Sequence, residues 1–364
     1  PKPDSSQAKP AAAPTDIPIS LLGTTYSLAE RSAFHHVPGV SVAVIKNFKT
    51  AWVGHYGEAS AGKPVTDATR YMAGSMGQPL VAAAVLKASE SDTVSLDAPM
   101  DSLLTSWKVP ASPLINPSRP ITVRDLLTQQ SGFTYNKYDG YAPGEPIPST
   151  TAILKGESPA KNPATTVQFA PGSHYDMAAE NYTVIEQVIT DVARQPFGET
   201  MRDSLLSPLG MKNSTFSLPP KTDWAMGHSE SGEPIEGGAW AYPESAASGL
   251  WTTPRDFAGA IAELLRCGAN RGGTYLKPET AALLSKPLPL SGTESPQAIG
   301  FGLTKREGVT YLYRGGNTNG FYCHLDADAE AGNAVIVFTN GNLCWRFANE
   351  VRDAVARSEG FRGF

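Results

Sequence analysis

Apolar positions along this chain fall into two regimes, one alternating and one helical. Near the start, VSVAVI (Val40–Ile45) and AWVGHYG (Ala51–Gly57) are short β-rich runs around a turn at Asn47-Phe48-Lys49. This predicts a hairpin at the front of an antiparallel sheet. Residues 25–36 carry an amphipathic helical pattern that stops before Pro38-Gly39. PLVAAAVLKA (Pro79–Ala88) has no polar face and predicts a buried helix, with Pro79 in its first turn where a missing N–H costs little.

Residues 95–250 read as helical segments separated by long Pro/Gly-rich loops, and 136–168 reads as mostly loop, the kind of span that forms a binding rim. Strand patterns return at 301–304, 309–313, 320–325 and 334–338, followed by a helix over about 343–357. The fold expected is α/β of the α+β type. An antiparallel sheet of about five strands is built from both chain ends and flanked by helices, with a mostly helical domain inserted. The boundaries are 18–70 plus 245–364 for the sheet domain and 71–244 for the insertion, with a cleft between them.

Composition changes this picture at few points. The chain has 364 residues, 41% of them apolar, enough for one large domain or two packed ones. Net charge is −5 with no Lys/Arg run, which argues against a nucleic-acid partner. No apolar run reaches the ~18 residues of a membrane span. Residues 1–17 are rich in Pro, Ala and Ser and read as a flexible tether, a ragged terminus being the alternative. The start at Pro1, without Met, reads as a processed or trimmed product. Such a tether suits an exported protein of a bacterial periplasm or envelope. Cys267, Cys323 and Cys344 fit no metal spacing and are expected as buried free thiols, one bridge remaining open. No metal or nucleotide cofactor is expected.

The string YMAGSMGQ (Tyr71–Gln78) closely resembles the Ser-x-x-Lys segment of serine β-lactamases, penicillin-binding proteins and their esterase relatives, with Gln78 where the lysine stands. Further stretches resemble landmarks of the same family, in the same order. VPGVSVAV (Val37–Val44) is similar to its first strand, and ITVRDLLTQQSG (Ile121–Gly132) to its "ITIRHLLTHTSG" helix. PLGMKNST (Pro208–Thr215) and SGLWTTPRD (Ser248–Asp256) resemble two of its turns, and AVIVFTNG (Ala334–Gly341) its last strand. The resemblance covers about residues 25–357.

Acyl transfer in that family uses a serine nucleophile, a lysine and a tyrosine that handle protons, and backbone N–H groups that hold the oxyanion. By resemblance Ser75 is the nucleophile-equivalent, although serine at a helix start is also an ordinary cap. Gln78 holds the lysine position, and a carboxamide cannot accept a proton. PGSHYDMAAENY (Pro171–Tyr182) is similar to "PGTxFxYSNxGY", which puts Met177 at the tyrosine position and Ala179 at the asparagine position. Neither side chain shuttles a proton. Tyr175 lies two residues earlier, where the family packs an aromatic ring. YRGGNTNGF (Tyr313–Phe321) resembles the Lys-Thr-Gly or His-x-Gly strand. This implies substrate binding by Arg314, Gly315, Gly316 and Asn317, with the Asn317 N–H as a second oxyanion donor and Arg314 as a carboxylate clamp or a solvated surface group.

Three functions remain open. The first is a degenerate homologue that binds a small-molecule or peptide-like ligand in the interdomain cleft with little or no turnover. The second is an active serine hydrolase (esterase, peptidase or acyltransferase) with rerouted proton transfer through Tyr175, His174, Asp176 or the substrate itself. The third is a partner-binding protein that uses the 136–168 loop.

Overall fold

The computed structural model describes residues 11–217, 222–290, 293 and 296–364. The N-terminal half of the sheet is β1 (Gly39–Lys46), β2 (Lys49–Ser60) and the short β3 (Lys63–Pro64). The C-terminal half is β4 (Gln297–Ala298), β5 (Phe301–Arg306), β6 (Val309–Thr318), β7 (Phe321–Asp328) and β8 (Asn333–Thr339). The order is β3-β2-β1-β8-β7-β6-β5-β4. The two chain ends meet at the centre, where β1 and β8 pair antiparallel with Val42 opposite Val337. The sheet therefore has eight strands rather than about five. The edge strands β3 and β4 are two residues long, too short to leave an alternating pattern.

Alternation builds a core on each face. Val40, Val42 and Val44 of β1 point with Val335 and Val337 of β8 to one side. Ala43 and Ile45 point with Ile336 and Phe338 to the other. The four longest helices among the described residues are α1 (Gln78–Ser89), α2 (Glu180–Ala193), α3 (Pro254–Gly268) and α4 (Trp345–Ser358), of which α3 and α4 cover the sheet. The first face is covered by α4, whose Phe347, Ala348, Val351 and Val355 form one stripe. The second is covered by α3, which starts with Thr253 accepting from the Asp256 N–H and with Pro254 in its first turn. Helix α1 is buried on all sides from Gln78 to Leu86, as a string without a polar face requires.

The tight turn between β1 and β2 places Asn47 and Phe48 both at positive φ, 51° and 65°, the twist that a two-residue hairpin loop needs. The amphipathic stretch expected over 25–36 resolves into a short strand, Thr24–Tyr26, and a helix, Leu28–Phe34, started by a Ser27–Glu30 capping box.

Of the tether expected over 1–17, residues 1–10 lie outside the described residues; residues 11–16 are mostly exposed but held by hydrogen bonds, and Ile17 is buried. The Ala11 N–H donates to Ala51 O at 3.0 Å, and Ile17 is buried under α4 beside Ile19. Those two isoleucines supply the apolar anchor that a Pro/Ala-rich composition conceals. The stretch 136–168 is mostly loop, as expected, and carries one short helix, Thr150–Lys155, capped by Ser149 and ended by Gly156 in the left-handed region. All three cysteines are buried and free. No helix among the described residues is long and apolar enough to cross a membrane.

Candidate functional site

Ser75 sits on a single turn of 3₁₀-helix, Gly74–Gly77, that runs directly into α1. The short strand Tyr71–Met72 delivers the chain to this turn and pairs with Trp251–Thr252. Gly74 makes the turn possible, since its φ is +54°. The opposing wall is β6. A Cβ on Gly316 would stand 1.9 Å from Ala73 O and 2.8 Å from the Met76 nitrogen, so only glycine lets the strand lie against the backbone of the Ser75 turn. A Cβ on Gly74 would lie 3.1 Å from the Asn317 nitrogen, which places that N–H beside the serine turn.

One cleft of about 630 Å³ gathers Ser75, Gln78, Tyr175, Met177, Ala179, Arg314, Gly315, Gly316 and Asn317, while His174 and Asp176 do not line it. These positions lie up to about 240 residues apart in the chain, and motif register alone brought them to one place.

The interior of the cleft is organised by Arg314, which is buried to 9% exposure. Its Nε donates to Ser75 O at 3.2 Å, one terminal nitrogen donates to Gln78 Oε1, and the other approaches Met177 Sδ at 3.5 Å. Gln78 is itself buried, and its Nε2 donates to Ala247 O at 3.0 Å. The carboxamide thus has its acceptor turned to the cation and its donor to a carbonyl, an arrangement that fixes the side chain. Arg314 therefore corrects the reading of a solvated surface group: it is buried, and its Nε and both terminal nitrogens already meet protein atoms. No carboxylate among the described residues forms an ion pair with it.

The Ser75 hydroxyl makes no hydrogen bond to any described residue. Met177 is half exposed on the cleft wall, and Ala179 closes the backbone just ahead of α2. The Tyr175 hydroxyl donates to Gln297 Oε1 at 3.3 Å instead of reaching the serine, and burial raises its pKa, which keeps the phenol protonated. His174 bonds locally to Ser173, and His228 is buried with its Nδ1 3.1 Å from Asn340 O. Neither lines the cleft, and Glu180 turns away from it to accept from the Asn136 N–H at 2.6 Å. Tyr135, just ahead of the 136–168 stretch, does reach the cleft. So do Gln129, Tyr313, Tyr322 and His324, which the sequence reading did not select. The signal available for Tyr322 and His324 was their alternation along β7, which sets them on one face with Asp326 and Asp328.

Behind the site the interior holds three buried carboxyls. Burial pushes Glu180 and Glu186 up to about 8 and Glu244 up to about 7, well above the ordinary range of a glutamate. Glu186 accepts from the Ala246 N–H at 2.8 Å and from the Thr150 hydroxyl at 2.9 Å. Between pH ~4.5 and ~8 the folded protein holds more protons on these groups than the unfolded chain does, so their contribution to stability is lost as pH rises through that window. The urea midpoint is expected to fall from about pH 5 to about pH 8, and Glu186→Gln is expected to flatten the fall. A midpoint that stays constant or rises would contradict this.

Comparison with known proteins places this geometry. A family model described as Beta-lactamase matches residues 27–356. Protein Flp of Staphylococcus aureus strain MW2 is 24% identical over 226 residues, covering 60% of this chain and 42% of that protein. A D-aminopeptidase of Gluconobacter oxydans strain 621H is 23% identical over 317 residues, covering 83% and 56%. The chain thus spans about half the length of the curated relatives it matches. Among solved structures, an octameric penicillin-binding protein homologue from Pyrococcus abyssi superposes with a TM-score of 0.71 at 20% identity, over 92% of this chain and 76% of that one. A class C beta-lactamase superposes at 0.70 and 19% identity, over 91% and 94%. At such identities the solved structures speak for the fold alone.

Proposed function

This chain belongs to the beta-lactamase family, and from that premise we propose that its cleft binds an anionic acyl or peptide-like ligand with little or no turnover. One observation carries the reading: the buried Arg314 guanidinium is hydrogen-bonded to the uncharged Gln78 beside Ser75 and has no carboxylate partner among the described residues. A guanidinium stays protonated, so Arg314 cannot take the serine proton. A buried cation without a counter-ion is costly, and an anion entering the cleft relieves that cost. Family membership supplies a serine-hydrolase scaffold. The proton chemistry is what this chain has exchanged, for an uncharged amide at 78, a thioether at 177 and a methyl at 179.

The test is calorimetric titration with acetyl-Ala-Ala-Ala and with its C-terminal amide. The free carboxylate is expected to bind about 10–100-fold tighter than the amide, the scale of one charge-assisted hydrogen bond, and Arg314→Met is expected to erase the difference. Equal binding of the two peptides would overturn the reading, as would cleavage of either peptide that disappears in Ser75→Ala.

A further inference from the structure

The pairing of β5 with β6 ends at Gly302 opposite Tyr313, so among the described residues no strand pairs with that edge of β6 from Arg314 to Thr318. The cleft runs round this edge. Its lining includes Arg314, on the face that looks at Ser75, and also Tyr322 and His324, on the opposite face. Gly315 stands opposite His324 across β6 and β7.

His324 is 8% exposed and is held on its inner side. Its Nε2 lies 3.2 Å from Asp326 Oδ2, and Asp326 is bridged in turn to Arg352 at 2.9 Å and Arg306 at 3.3 Å. Its other ring nitrogen, Nδ1, is buried and has no hydrogen-bond partner among the described residues. The Tyr322 hydroxyl likewise bonds to no described residue, and burial pushes that phenol up to about 12, so it carries its proton. Both atoms bound the room over Gly315. A Cβ there would stand 3.3 Å from the Tyr322 hydroxyl and 3.9 Å from His324 Nδ1. A buried ring nitrogen left open is uncommon and costs free energy until it is satisfied.

We propose that the Tyr322 hydroxyl and His324 Nδ1 form a back-face subsite over Gly315 that recognises a hydroxyl-bearing side chain of an extended peptide-like ligand. This rests on the reading that the same ligand places its carboxylate at Arg314. A hydroxyl suits the pair because it donates and accepts at once. The inner Nε2 lies between Asp326 Oδ2 at 3.2 Å and an Arg352 terminal nitrogen at 3.1 Å, and in either tautomer Nδ1 and the tyrosine hydroxyl can give an incoming hydroxyl one group to donate to and one to accept from. Reach follows from strand geometry. In an extended chain laid along the open edge of β6, successive side chains point to opposite faces. One set faces Ser75 and Arg314, and the residues between them face Tyr322 and His324. The glycine at 315 leaves the passage open, and any side chain there would fill the subsite.

The experiment titrates the wild-type protein with acetyl-Ala-Ala-Ala and its three single-serine versions. One serine peptide is expected to bind about tenfold tighter than the alanine parent, the scale of one satisfied hydrogen bond. That ratio is expected to collapse toward one in Tyr322→Phe, which removes only the hydroxyl, and in Gly315→Ala, which fills the space. Reading a ratio within each variant separates the subsite from any general change in affinity. If the parent peptide binds but no serine version gains, the subsite is refuted while the Arg314 reading stands. The subsite is equally refuted if the gain survives both variants. If the parent peptide shows no saturable binding, the Arg314 reading fails and this inference falls with it.

Discussion

Gln78→Lys is expected to lower folding stability by about 3 kcal/mol and to confer no hydrolysis, although it rewrites the Ser-x-x-Lys string letter by letter. The side chain at 78 is 2% exposed and accepts from the Arg314 guanidinium. An ammonium there meets a second cation inside the protein, and like charges about 4 Å apart repel by about 4 kcal/mol at an effective dielectric of about 20. The lysine escapes part of this by losing its proton, which limits the loss of stability. It also loses the hydrogen bond that Gln78 gives to Ala247 O. Gln78→Met keeps the volume without adding charge and is expected to cost about 1–2 kcal/mol, from the unmade hydrogen bonds. Urea denaturation of the two variants against wild type measures the contrast. If lysine is tolerated as well as methionine, Arg314 does not occupy the position described.

The second large effect follows from the same contact. Restoring Gln78→Lys, Met177→Tyr and Ala179→Asn together is expected to leave Ser75 inert as long as Arg314 is kept, because the new ammonium and the guanidinium compete for one space. Adding Arg314→His, which the related His-x-Gly strand carries at that position, removes the competitor. The four-fold variant is then expected to hydrolyse p-nitrophenyl acetate about 10²–10⁴-fold faster than wild type, the usual worth of a positioned proton acceptor, with the gain abolished by Ser75→Ala. The N–H of Asn317 beside the serine turn makes this plausible chemistry, since the close approach allowed by Gly316 is independent of the exchanged residues. A three-fold variant as active as the four-fold one would show that Arg314 and residue 78 are uncoupled.

How much of this was legible in the sequence depended on how local the signal was. The long strands were, because β1 and β8 keep valines to one core and alanine or isoleucine to the other at every second position. The cleft residues that sit in recognisable strings, such as Ser75, Gln78 and Arg314, were also legible, whereas Gln129, Tyr322 and His324 were not. The Arg314–Gln78 contact was not. It joins residues 236 apart in the chain, and nothing in either segment announces that one side chain has moved into the space of another. Burial of Arg314 has the same origin, as an arginine on an edge strand reads as solvated until its neighbours are known. His324 was passed over because polar residues alternating on β7 look like a wet face, whereas α4 brings Arg352 over them and makes that face an interior. The buried carboxyls of α2 escaped for a related reason. Glu180 and Glu186 are acidic residues of a helix start and middle, yet Asn136 meets Glu180 and the segment around Glu244 and Ser245 covers Glu186. The two-residue edge strands, β3 and β4, are simply shorter than any period.

The most direct test is intact-protein mass spectrometry after exposure to a fluorophosphonate, which reacts with serines whose proton has an acceptor. The wild-type protein is expected to stay unmodified at Ser75, and the four-fold variant to gain one adduct that Ser75→Ala removes. Stoichiometric labelling of wild-type Ser75, absent from Ser75→Ala, would show that the cleft serine has an acceptor for its proton and would contradict the assignment of a binding site without turnover.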